Sequence, residues 1–447
     1  TGGIIPDTRS YVKVQGIFGY LLRALSVREI HDLIDAYVEA ATRMKRAGFD
    51  LVEIQGAHDY LIAQFLSPLD NKRSDGYGGD IKGRARFAIE VVEACRAAVG
   101  DMPLGFRMNG DEFVEGGFTH ADALALAPML EAAGVDLISV SAGSHRSKPI
   151  PTLMCAPMAY PEGYLVPLAK AIKHVVNVPV VAVGRLHDPE LAESVVAGGS
   201  ADMVALGRAL LADPDWVKKV SESRIDEIRP CIACNTCVDH LRGGQQVRCL
   251  VNPITGRERS LTRKEIANPK RIVVIGGGPA GMTAAIHLKQ RGHQVILYEE
   301  SDSLGGKLRQ APLAPYFQNV ESSREHIMKL VDYLARMTRR VGVELKLGVR
   351  VTTKDILREK ADAVVAAMGG KYPPGFLTML STPGLRMLAR IKLLRKLFLK
   401  VPFPTDQSLV RELRSAGIKV YRIGDYSGTR GVEEALTSAT QVGFELS

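Results

Sequence analysis

The sequence lacks the features that mark membrane proteins, secreted disulfide-rich domains and disordered chains. Its apolar runs all fall short of the roughly 20 residues that a membrane-spanning helix needs. Residues 1–7 have neither the basic start nor the apolar stretch of a signal peptide. Six cysteines in 447 residues are too few for a disulfide scaffold. We therefore expect no membrane span, no signal peptide and a reducing compartment, the cytoplasm.

Aromatic residues are also scarce, at 6% of the chain, whereas the 43 glycines and many short Val/Ile/Ala runs are typical of α/β proteins. The net charge of +9 permits a nucleic-acid partner. Much of that charge falls in one helical stretch, 385–401, which indicates a solvated helix or a subunit contact; membrane-surface or nucleic-acid binding is the alternative. We predict no nucleic-acid partner. We expect a homo-oligomer, with an assembly that includes other subunits as a further option. The basic residues of this stretch are Arg386, Arg390, Lys392, Arg395, Lys396 and Lys400.

Strand-like and helical patterns alternate from about residue 26 to residue 220. Ser26 and Glu29 have the spacing of a capping box, which predicts a helix that runs to Ala47. Alternation predicts a parallel sheet, and the polar or glycine residues after each strand indicate the mouth of a (β/α)8 TIM barrel. The predicted strands are 51–54, 104–108, 137–140, 178–183 and 203–206, and the predicted helices between them are 84–98, 120–133, 164–175 and 189–197.

This predicted barrel is short of strands. A complete barrel needs roughly 250 residues and eight strand–helix units, whereas five units are recognisable from Leu51 onward. We therefore expect that the N-terminal part of the barrel, about three units, is missing from the chain or is completed by a partner.

Four of the six cysteines form the motif Cys231-x2-Cys234-x2-Cys237-x11-Cys249. Three thiolates at this spacing with a distant fourth are typical of a [4Fe-4S] cluster. Structural zinc more often uses two separated Cys-x-x-Cys pairs, so the spacing favours the cluster, with zinc and unrelated free thiols as alternatives. Cys95 lies on a helical face and is predicted to be a core residue.

A glycine motif follows the strand-like run 271–275. It reads Gly276-Gly277-Gly278-Pro279-Ala280-Gly281, with an Ala-rich helix behind it and Glu299 after the next predicted strand, 294–298. This order is typical of a Rossmann dinucleotide site, in which the pyrophosphate lies at the helix N-terminus and the acid binds a ribose hydroxyl. Three further glycine positions follow: Gly306, the glycine end of the predicted strand 363–370, and Gly424. Asp425 is a candidate ligand for a sugar hydroxyl, or part of a simple turn.

Polar residues follow the strands of the first block. Gln55, His58 and Tyr60 follow the first recognisable strand, and His145 follows the third. A phenol can donate a proton and an imidazole can hydrogen-bond a carbonyl, although each alone is often an ordinary loop residue. Later strands end in residues that suit the phosphate site of a barrel. These residues are Arg107, Gly184, Arg185, Gly207 and Arg208.

Residues 48–79 resemble the barrel of the old yellow enzyme family. The resemblance is carried by Gly48-Phe-Asp-Leu-Val-Glu-Ile, Gly56-Ala-His-Asp-Tyr-Leu, Gln64-Phe-Leu-Ser-Pro and Asn71-x-Arg-x-Asp-x-Tyr-Gly-Gly. The cysteine and glycine motifs behind it narrow the resemblance to the branch of 2,4-dienoyl-CoA reductase and trimethylamine dehydrogenase. It covers nearly the whole chain from Ser26, apart from about 373–404.

The resemblance implies FMN in the barrel, a [4Fe-4S] cluster, FAD or ADP in the C-terminal domain, and NAD(P)H as electron donor. Tyr60 matches the proton-donating tyrosine, and His145 resembles the histidine that assists at the substrate carbonyl of dienoyl-CoA reductases. Gln55 and His58 stand where ene-reductases hold a carbonyl oxygen, and Gln55 departs from the usual histidine. The cysteine spacing is that of trimethylamine dehydrogenase. Arg107, Gly184, Arg185, Gly207 and Arg208 match FMN-binding positions.

We therefore expect a flavin- and iron–sulfur-dependent ene-reductase. Hydride would pass from FMN to an α,β-unsaturated carbonyl or acyl-CoA thioester, with Tyr60 as proton donor and electrons from NAD(P)H through FAD and the cluster. Arg146 and Lys148 are candidate contacts for an acidic CoA substrate. One alternative is an amine dehydrogenase that passes electrons to an external carrier, favoured by the cysteine spacing and by the lack of a second glycine motif. The other is an electron-transfer subunit without its own substrate site, favoured by the short barrel.

The expected domains are an FMN-binding TIM-barrel portion at 1–224, a [4Fe-4S] segment at 225–267 and an FAD-binding Rossmann-like domain at 268–447. A nicotinamide-binding insert is not visible.

Overall fold

The computed structural model of the chain describes residues 9–12, 21–147, 154–261, 266–314, 316–370, 407–428 and 431–446. The chain divides into two compact units, of which the first comprises Thr1–Ala156 with Tyr160–Leu206 and the second Pro157–Ala159 with Gly207–Ser447. The predicted basic stretch 385–401 and Lys148 lie outside the described residues. The predicted domain boundaries after residues 224 and 267 stay predictions.

The first unit is built on a parallel sheet. An antiparallel pair, β1 (Arg9–Val12) and β2 (Leu21–Ala24), precedes it and was not predicted. Five strands then pair in their sequence order: β3 (Val52–Gly56), β4 (Leu104–Asn109), β5 (Leu137–Ser141), β6 (Val180–Ala182) and β7 (Met203–Val204). Parallel neighbours in sequence order follow from repeated β/α units, so the predicted α/β class is confirmed. The eight-stranded barrel itself stays a prediction, since the described part of this sheet has five strands.

Helices separate these strands as predicted, with α2 in addition. They are α1 (Val27–Arg46), α2 (Leu61–Leu66), α3 (Ile81–Val99), α4 (His120–Ala132), α5 (Val166–Lys173) and α6 (Pro189–Ala197). The predicted capping box is present, because Ser26 Oγ accepts from Glu29 N and the Glu29 carboxylate accepts from Ser26 N at 2.8 Å. Strand β6 is shorter than predicted and begins after Pro179, which has no amide to donate to the ladder. Cys95 is fully buried in the core, as predicted.

Apolar and polar side chains alternate along the central strands of the first unit. Ile54, Phe106 and Ile138 are cross-strand neighbours and belong to the core. The next residue on each strand is polar and forms a second row of cross-strand neighbours: Gln55, Arg107 and Ser139. Since successive side chains of a strand point to opposite faces, one face of the sheet is the core and the other carries a polar row.

The described residues of the second unit form a parallel sheet of five strands: β8 (Arg271–Ile275), β9 (Gln294–Tyr298), β12 (Glu344–Lys346), β13 (Ala363–Ala366) and β14 (Lys419–Arg422). These strands lie in the order β12-β9-β8-β13-β14. A small antiparallel pair is formed by β10 (Tyr316–Phe317) and β11 (Val320–Glu321). The predicted strands 271–275 and 294–298 are thus confirmed, whereas the predicted strand 363–370 ends earlier, at Ala366.

The helices of the second unit include one long helix, α11, that was not predicted. They are α7 (Arg208–Ala212), α8 (Trp216–Ser221), α9 (Thr236–Arg242), α10 (Pro279–Gln290), α11 (Arg324–Arg340), α12 (Thr353–Arg358), α13 (Ser408–Ser415) and α14 (Val432–Glu445). Within the described parts of the chain, no helix combines the length and the apolar character that crossing a bilayer requires.

Candidate functional site

The four motif cysteines line one small pocket in the second unit. Arg208 and Asn235 line the same pocket, and none of the six cysteines, all of which lie within the described residues, forms a disulfide. Left-handed backbone at Ala233 (φ 50°) and Asn235 (φ 58°) turns the chain sharply between the first three cysteines. The motif residues are Cys231, Cys234, Cys237 and Cys249.

Burial makes this pocket a poor place for uncompensated thiolates. It raises the pKa of Cys234 to about 11 and of Cys237 to about 12, and it raises the pKa of Cys249 further; nearby thiols add to each effect. A bound metal centre offsets this cost, because it stabilises the deprotonated ligands. The donor set and its burial therefore suit a thiolate-bound metal group.

Arg208 also belongs to this pocket. Its Nη1 donates to Asn235 Oδ1 at 2.5 Å, and Gly207 is the residue that precedes α7. The sequence predicted both residues as part of an FMN phosphate site. Arg208 is observed beside the cysteines, where its positive charge favours their ionised forms, and its predicted role at a flavin phosphate stays a prediction.

The glycine motif joins β8 to α10 as predicted. Gly276 is left-handed (φ 105°), and a Cβ there would lie 2.5 Å from the carbonyl oxygen of Ala367. A Cβ at Gly281 would overlap the carbonyl oxygen of Gly276. Gly278, just before α10, has no atom within 4 Å of its Cβ position, so the backbone is open to a ligand there. This cradle suits a pyrophosphate at the helix N-terminus.

Glu299 lies directly after β9, at the same sheet edge. The side chain is buried and accepts from Gly277 N at 2.5 Å and from Ser301 N at 2.9 Å. The structure thus brings the predicted acid against the predicted glycine loop, where a dinucleotide ribose is held in this fold.

The remaining predicted flavin contacts of the second unit also converge on the motif. A Cβ at Gly306 would lie 3.0 Å from Gly278 Cα, and one at Gly424 would lie 3.0 Å from the Cβ of Ala280. Burial raises the pKa of Asp425 and lowers the pKa of Lys307, while the charge of each residue partly offsets the effect on the other. Gly306 therefore lies close to Gly278, and Gly424 lies close to Ala280 at the start of α10.

In the first unit, the predicted residues lie along the polar row and at its carboxyl end. Arg107 Nη1 donates to Ser139 Oγ at 3.4 Å, and Gln55 Oε1 accepts from Ala57 N at 3.1 Å. Asn109, two residues further along β4, is buried, and its Oδ1 has no hydrogen-bond partner within the described residues. Positions 107 and 109 share one face of β4, and an unsatisfied buried acceptor on the face that carries a guanidinium suits a polar ligand such as a flavin ring.

His58 is a neutral imidazole at physiological pH. Burial lowers its pKa to about 4, and the charges of Arg107 and His145 act in the same direction. Its Nε2 lies 2.7 Å from Ser141 Oγ. His58 and Asp59 both have left-handed backbone, with φ of 62° and 60°, which turns the chain sharply after β3.

Tyr60 and His145 are both exposed side chains at the carboxyl ends of β3 and β5. Tyr60 immediately precedes α2, and 39% of its surface is accessible. The backbone N of His145 donates to Asp59 Oδ2 at 2.6 Å. The loop that carries His145 is therefore hydrogen-bonded to Asp59, the residue before Tyr60.

Gly184 and Arg185 follow β6 in the same unit. Gly184 has φ 111° and Arg185 has φ 58°, so both lie in the left-handed region. The Arg185 guanidinium is buried, with Nη2 3.7 Å from Glu162 Oε1. Gly207 and Arg208 belong to the second unit. A phosphate site that combines them with Gly184 and Arg185 therefore stays a prediction.

Sequence reasoning missed three acids near Tyr60 and His145: Asp59, Asp70 and Glu112. Glu112 is buried, and burial is the main cause that raises its pKa to about 7. Its place in the loop directly after β4 was a usable signal, since loops at the carboxyl ends of parallel strands meet at one edge.

Two family models match the chain. Residues 7–227 match the NADH:flavin oxidoreductase / NADH oxidase family, and residues 271–386 match the family of FAD dependent oxidoreductases. Together they contain the polar row and the glycine motif with Glu299 and Gly306, whereas the four motif cysteines, Gly424 and Asp425 lie outside both ranges.

Known relatives include an NADH oxidase and an amine dehydrogenase. The chain is 45% identical over 379 residues to the NADH oxidase of Thermoanaerobacter brockii, with 83% of this chain and 56% of the relative covered. It is 37% identical to the N,N-dimethylglycine/sarcosine dehydrogenase of Chromohalobacter salexigens, with 78% and 50% covered. The chain thus spans about half the length of the curated relatives it matches.

A solved structure resembles nearly the whole chain. It is the complex of 2-naphthoyl-CoA reductase with 2-naphthoyl-CoA, at a TM-score of 0.86 and 26% identity, covering 99% of this chain and 80% of that one. Taken with the two family matches, this likeness confirms the resemblance inferred from the motifs. The chain belongs to the NADH:flavin oxidoreductase / NADH oxidase family, in the old yellow enzyme-like branch of 2,4-dienoyl-CoA reductase and trimethylamine dehydrogenase.

Proposed function

We propose that this protein is an ene-reductase that reduces an α,β-unsaturated carbonyl or acyl-CoA thioester. One observation carries the proposal: an exposed phenol, Tyr60, and a neutral imidazole, His58, stand at the carboxyl end of β3, beside the polar row. Reduction of a conjugated carbonyl needs a proton donor and a hydrogen-bond partner for the developing oxyanion, and these side chains can serve as both. Likeness to a reductase of an aromatic acyl-CoA supports the substrate class.

Each implied group has residues that suit it. In the first unit, the polar row with Asn109, followed by Gly184 and Arg185, suits FMN, and the four-cysteine pocket suits a [4Fe-4S] cluster. The glycine cradle with Glu299, Gly306, Gly424 and Asp425 suits FAD. When bound, these groups would supply electron transfer from NAD(P)H and hydride delivery to the β-carbon.

The side chains of the chain would do the remaining work. Tyr60 Oη would give its proton to the α-carbon, and solvent would restore it because the side chain is accessible. His58, kept neutral by burial, would hydrogen-bond the substrate carbonyl, and the exposed His145 would assist from the β5 side. Arg146 is not counted as a CoA contact, since both of its terminal nitrogens donate to Asp70.

The substitution Tyr60→Phe tests this role. We expect turnover of an α,β-unsaturated acyl-CoA to fall roughly 100-fold or more, the range for loss of a general acid, with flavin content unchanged. Tyr37→Phe is the matched control, because Tyr37 packs edge-on against Phe87 in the core, away from the polar row. Full turnover by the Tyr60→Phe protein would exclude Tyr60 as the proton donor, and no turnover of enoyl thioesters by the unaltered protein would refute the proposed function.

Amine oxidation is the second candidate function. The relative from Chromohalobacter salexigens is named as an N,N-dimethylglycine/sarcosine dehydrogenase, and Gln55 departs from the histidine usual in ene-reductases. Anaerobic mixing separates the two: N,N-dimethylglycine would bleach the flavin of an amine dehydrogenase, whereas the enoyl thioester would reoxidise the prereduced flavin of an ene-reductase.

A further inference from the structure

Asp59 links the two loops that carry Tyr60 and His145. Its Oδ2 accepts a hydrogen bond from Ser144 Oγ at 2.9 Å and another from the backbone N of His145 at 2.6 Å. Asp59 itself is the residue between His58 and Tyr60. A single carboxylate therefore connects the carboxyl end of β3 to the loop after β5.

Arg146 braces this carboxylate from the other side. Both terminal nitrogens of its guanidinium donate to the Asp70 carboxylate, and Nη2 lies 3.7 Å from Asp59 Oδ1. Asp70 is almost fully buried, so the bidentate pair is shielded from solvent on the carboxylate side. Bidentate arginine–carboxylate pairs have a fixed geometry, which restricts the movement of the loop.

A third loop closes the network. Ser144 N donates to Ser147 Oγ at 2.6 Å, and Ser147 Oγ donates to the main-chain oxygen of Glu112 at 2.7 Å. The Glu112 carboxylate in turn accepts from Ser67 Oγ at 2.8 Å. The loop that carries His145 is thus held at both ends, by Asp59 on one side and by Glu112 on the other.

The backbone at Asp59 favours a side-chain role. With φ of 60°, this position suits glycine, which would adopt the left-handed conformation without steric cost. An aspartate there costs backbone energy that its side-chain contacts must offset. Those contacts all lead to the loop of His145.

We propose that Asp59 is a positioning residue for proton transfer, which fixes the placement of Tyr60 relative to His145. This inference rests on the proposed function for its chemistry. Proton transfer depends steeply on geometry, and a displacement of about 1 Å can lower the rate on the order of 100-fold. Asp59 does not need to touch the substrate to have this effect.

Two substitutions at this position test the proposal in the full-length holoprotein. Asp59→Gly removes the carboxylate and relieves the left-handed backbone, so the variant should fold. Asp59→Asn keeps one acceptor oxygen in the same place, and asparagine tolerates this conformation. Asp136→Asn is the control. Asp136 lies just before β5, at the amino ends of the strands, and its carboxylate accepts hydrogen bonds from the Arg96 side chain and from Leu104 N.

Hydrogen exchange of the peptide spanning 141–147 reports on the link itself. We expect Asp59→Gly to speed exchange at the His145 amide at least tenfold, with Asp59→Asn and Asp136→Asn close to the unaltered protein. Protection at His145 that is unchanged in Asp59→Gly would overturn the proposal.

Stopped-flow half-reactions show whether loss of the Asp59 carboxylate slows the step that includes proton transfer. In Asp59→Gly, reoxidation of the flavin by the enoyl thioester should slow roughly 10- to 100-fold, while flavin reduction by NAD(P)H keeps its rate. Faster exchange with unchanged reoxidation would also overturn the proposal. If no enoyl thioester reoxidised the reduced flavin of the unaltered protein, the proposed function would be refuted instead, so the two failures are distinguishable.

Discussion

His58 Nε2 lies 2.7 Å from Ser141 Oγ, which ties the imidazole after β3 to the hydroxyl that ends β5. The side chain is largely removed from solvent, and the guanidinium of Arg107 and the ring of His145 disfavour a further positive charge. A neutral imidazole can donate one hydrogen bond and accept another. The pair therefore gives the site a hydrogen-bonding group whose charge does not change near neutral pH.

We predict that His58 stays unprotonated in the folded protein until the pH falls to about 4. Because the folded pKa lies below the ordinary 6.5, the unfolded chain takes up the proton first. The contribution of His58 to stability is thus complete above pH 6.5 and is lost as the pH falls towards 4. Histidine NMR titration, assigned with His58→Gln, measures this directly. A midpoint near 6.5 would contradict the prediction.

Glu112 should have the opposite effect on stability. Its pKa in the folded protein is raised from the ordinary 4.5 to about 7, so the folded state holds the proton over a range in which the unfolded chain has released it. Stability should therefore fall as the pH rises from 4.5 through 7, by up to about 3 kcal/mol.

The variant Glu112→Gln removes the ionisable group and keeps an acceptor for Ser67 and for Phe118 N. Thermal unfolding of this variant should depend less on pH between 5 and 8, and its midpoint should exceed that of the unaltered protein at pH 8. Glu190→Gln, at the exposed start of α6, is the control. Parallel pH profiles for Glu112→Gln and the unaltered protein would show that Glu112 is not the group concerned.

Local patterns predicted much of the fold. The Ser26–Glu29 capping box and the alternation of short apolar strands with helices are properties of neighbouring residues, so a sequence displays them directly. The strand 271–275 and the glycine motif after it were readable for the same reason, because backbone clashes at Gly276 and Gly281 make glycine necessary there. The bounds of β6 differed where Pro179 interrupts the ladder.

The candidate site was less predictable, because its network joins residues distant in sequence. Asp59 and His145 are 86 positions apart, and no periodicity relates them. Arg208 ends a predicted strand and resembles a phosphate ligand, and the sequence did not predict that its guanidinium also lines the cysteine pocket. Only packing determines which of several nearby partners a long, flexible arginine side chain meets.

Loss of one distant cysteine should remove the proposed [4Fe-4S] cluster. Cys249 lies 12 positions after Cys237 but lines the same pocket. We expect Cys249→Ser to lose iron and acid-labile sulfide together, since a cubane needs all four thiolates. Cys155→Ser lies outside the motif and should keep both. Zinc without sulfide in the unaltered protein would contradict the prediction and favour a structural zinc site.

Two glycines of the same motif should respond differently to alanine. A Cβ at Gly281 would overlap the carbonyl oxygen of Gly276, whereas Gly278 has open space at its Cβ position and φ of −72°. Gly281→Ala should therefore destabilise the protein itself, by roughly 1–3 kcal/mol as for other overpacking changes.

Gly278→Ala should keep the thermal stability of the flavin-free protein and bind FAD more weakly, because the added methyl group occupies space that the pyrophosphate needs. Calorimetry of the flavin-free protein and fluorescence titration with FAD measure the two effects separately. The two measurements together test the prediction. If Gly278→Ala unfolded more easily, Gly278 would be needed for the fold. If Gly278→Ala bound FAD normally, a ligand at this position would be excluded. Weaker binding at unchanged stability is the result expected of a backbone surface kept clear for a phosphate.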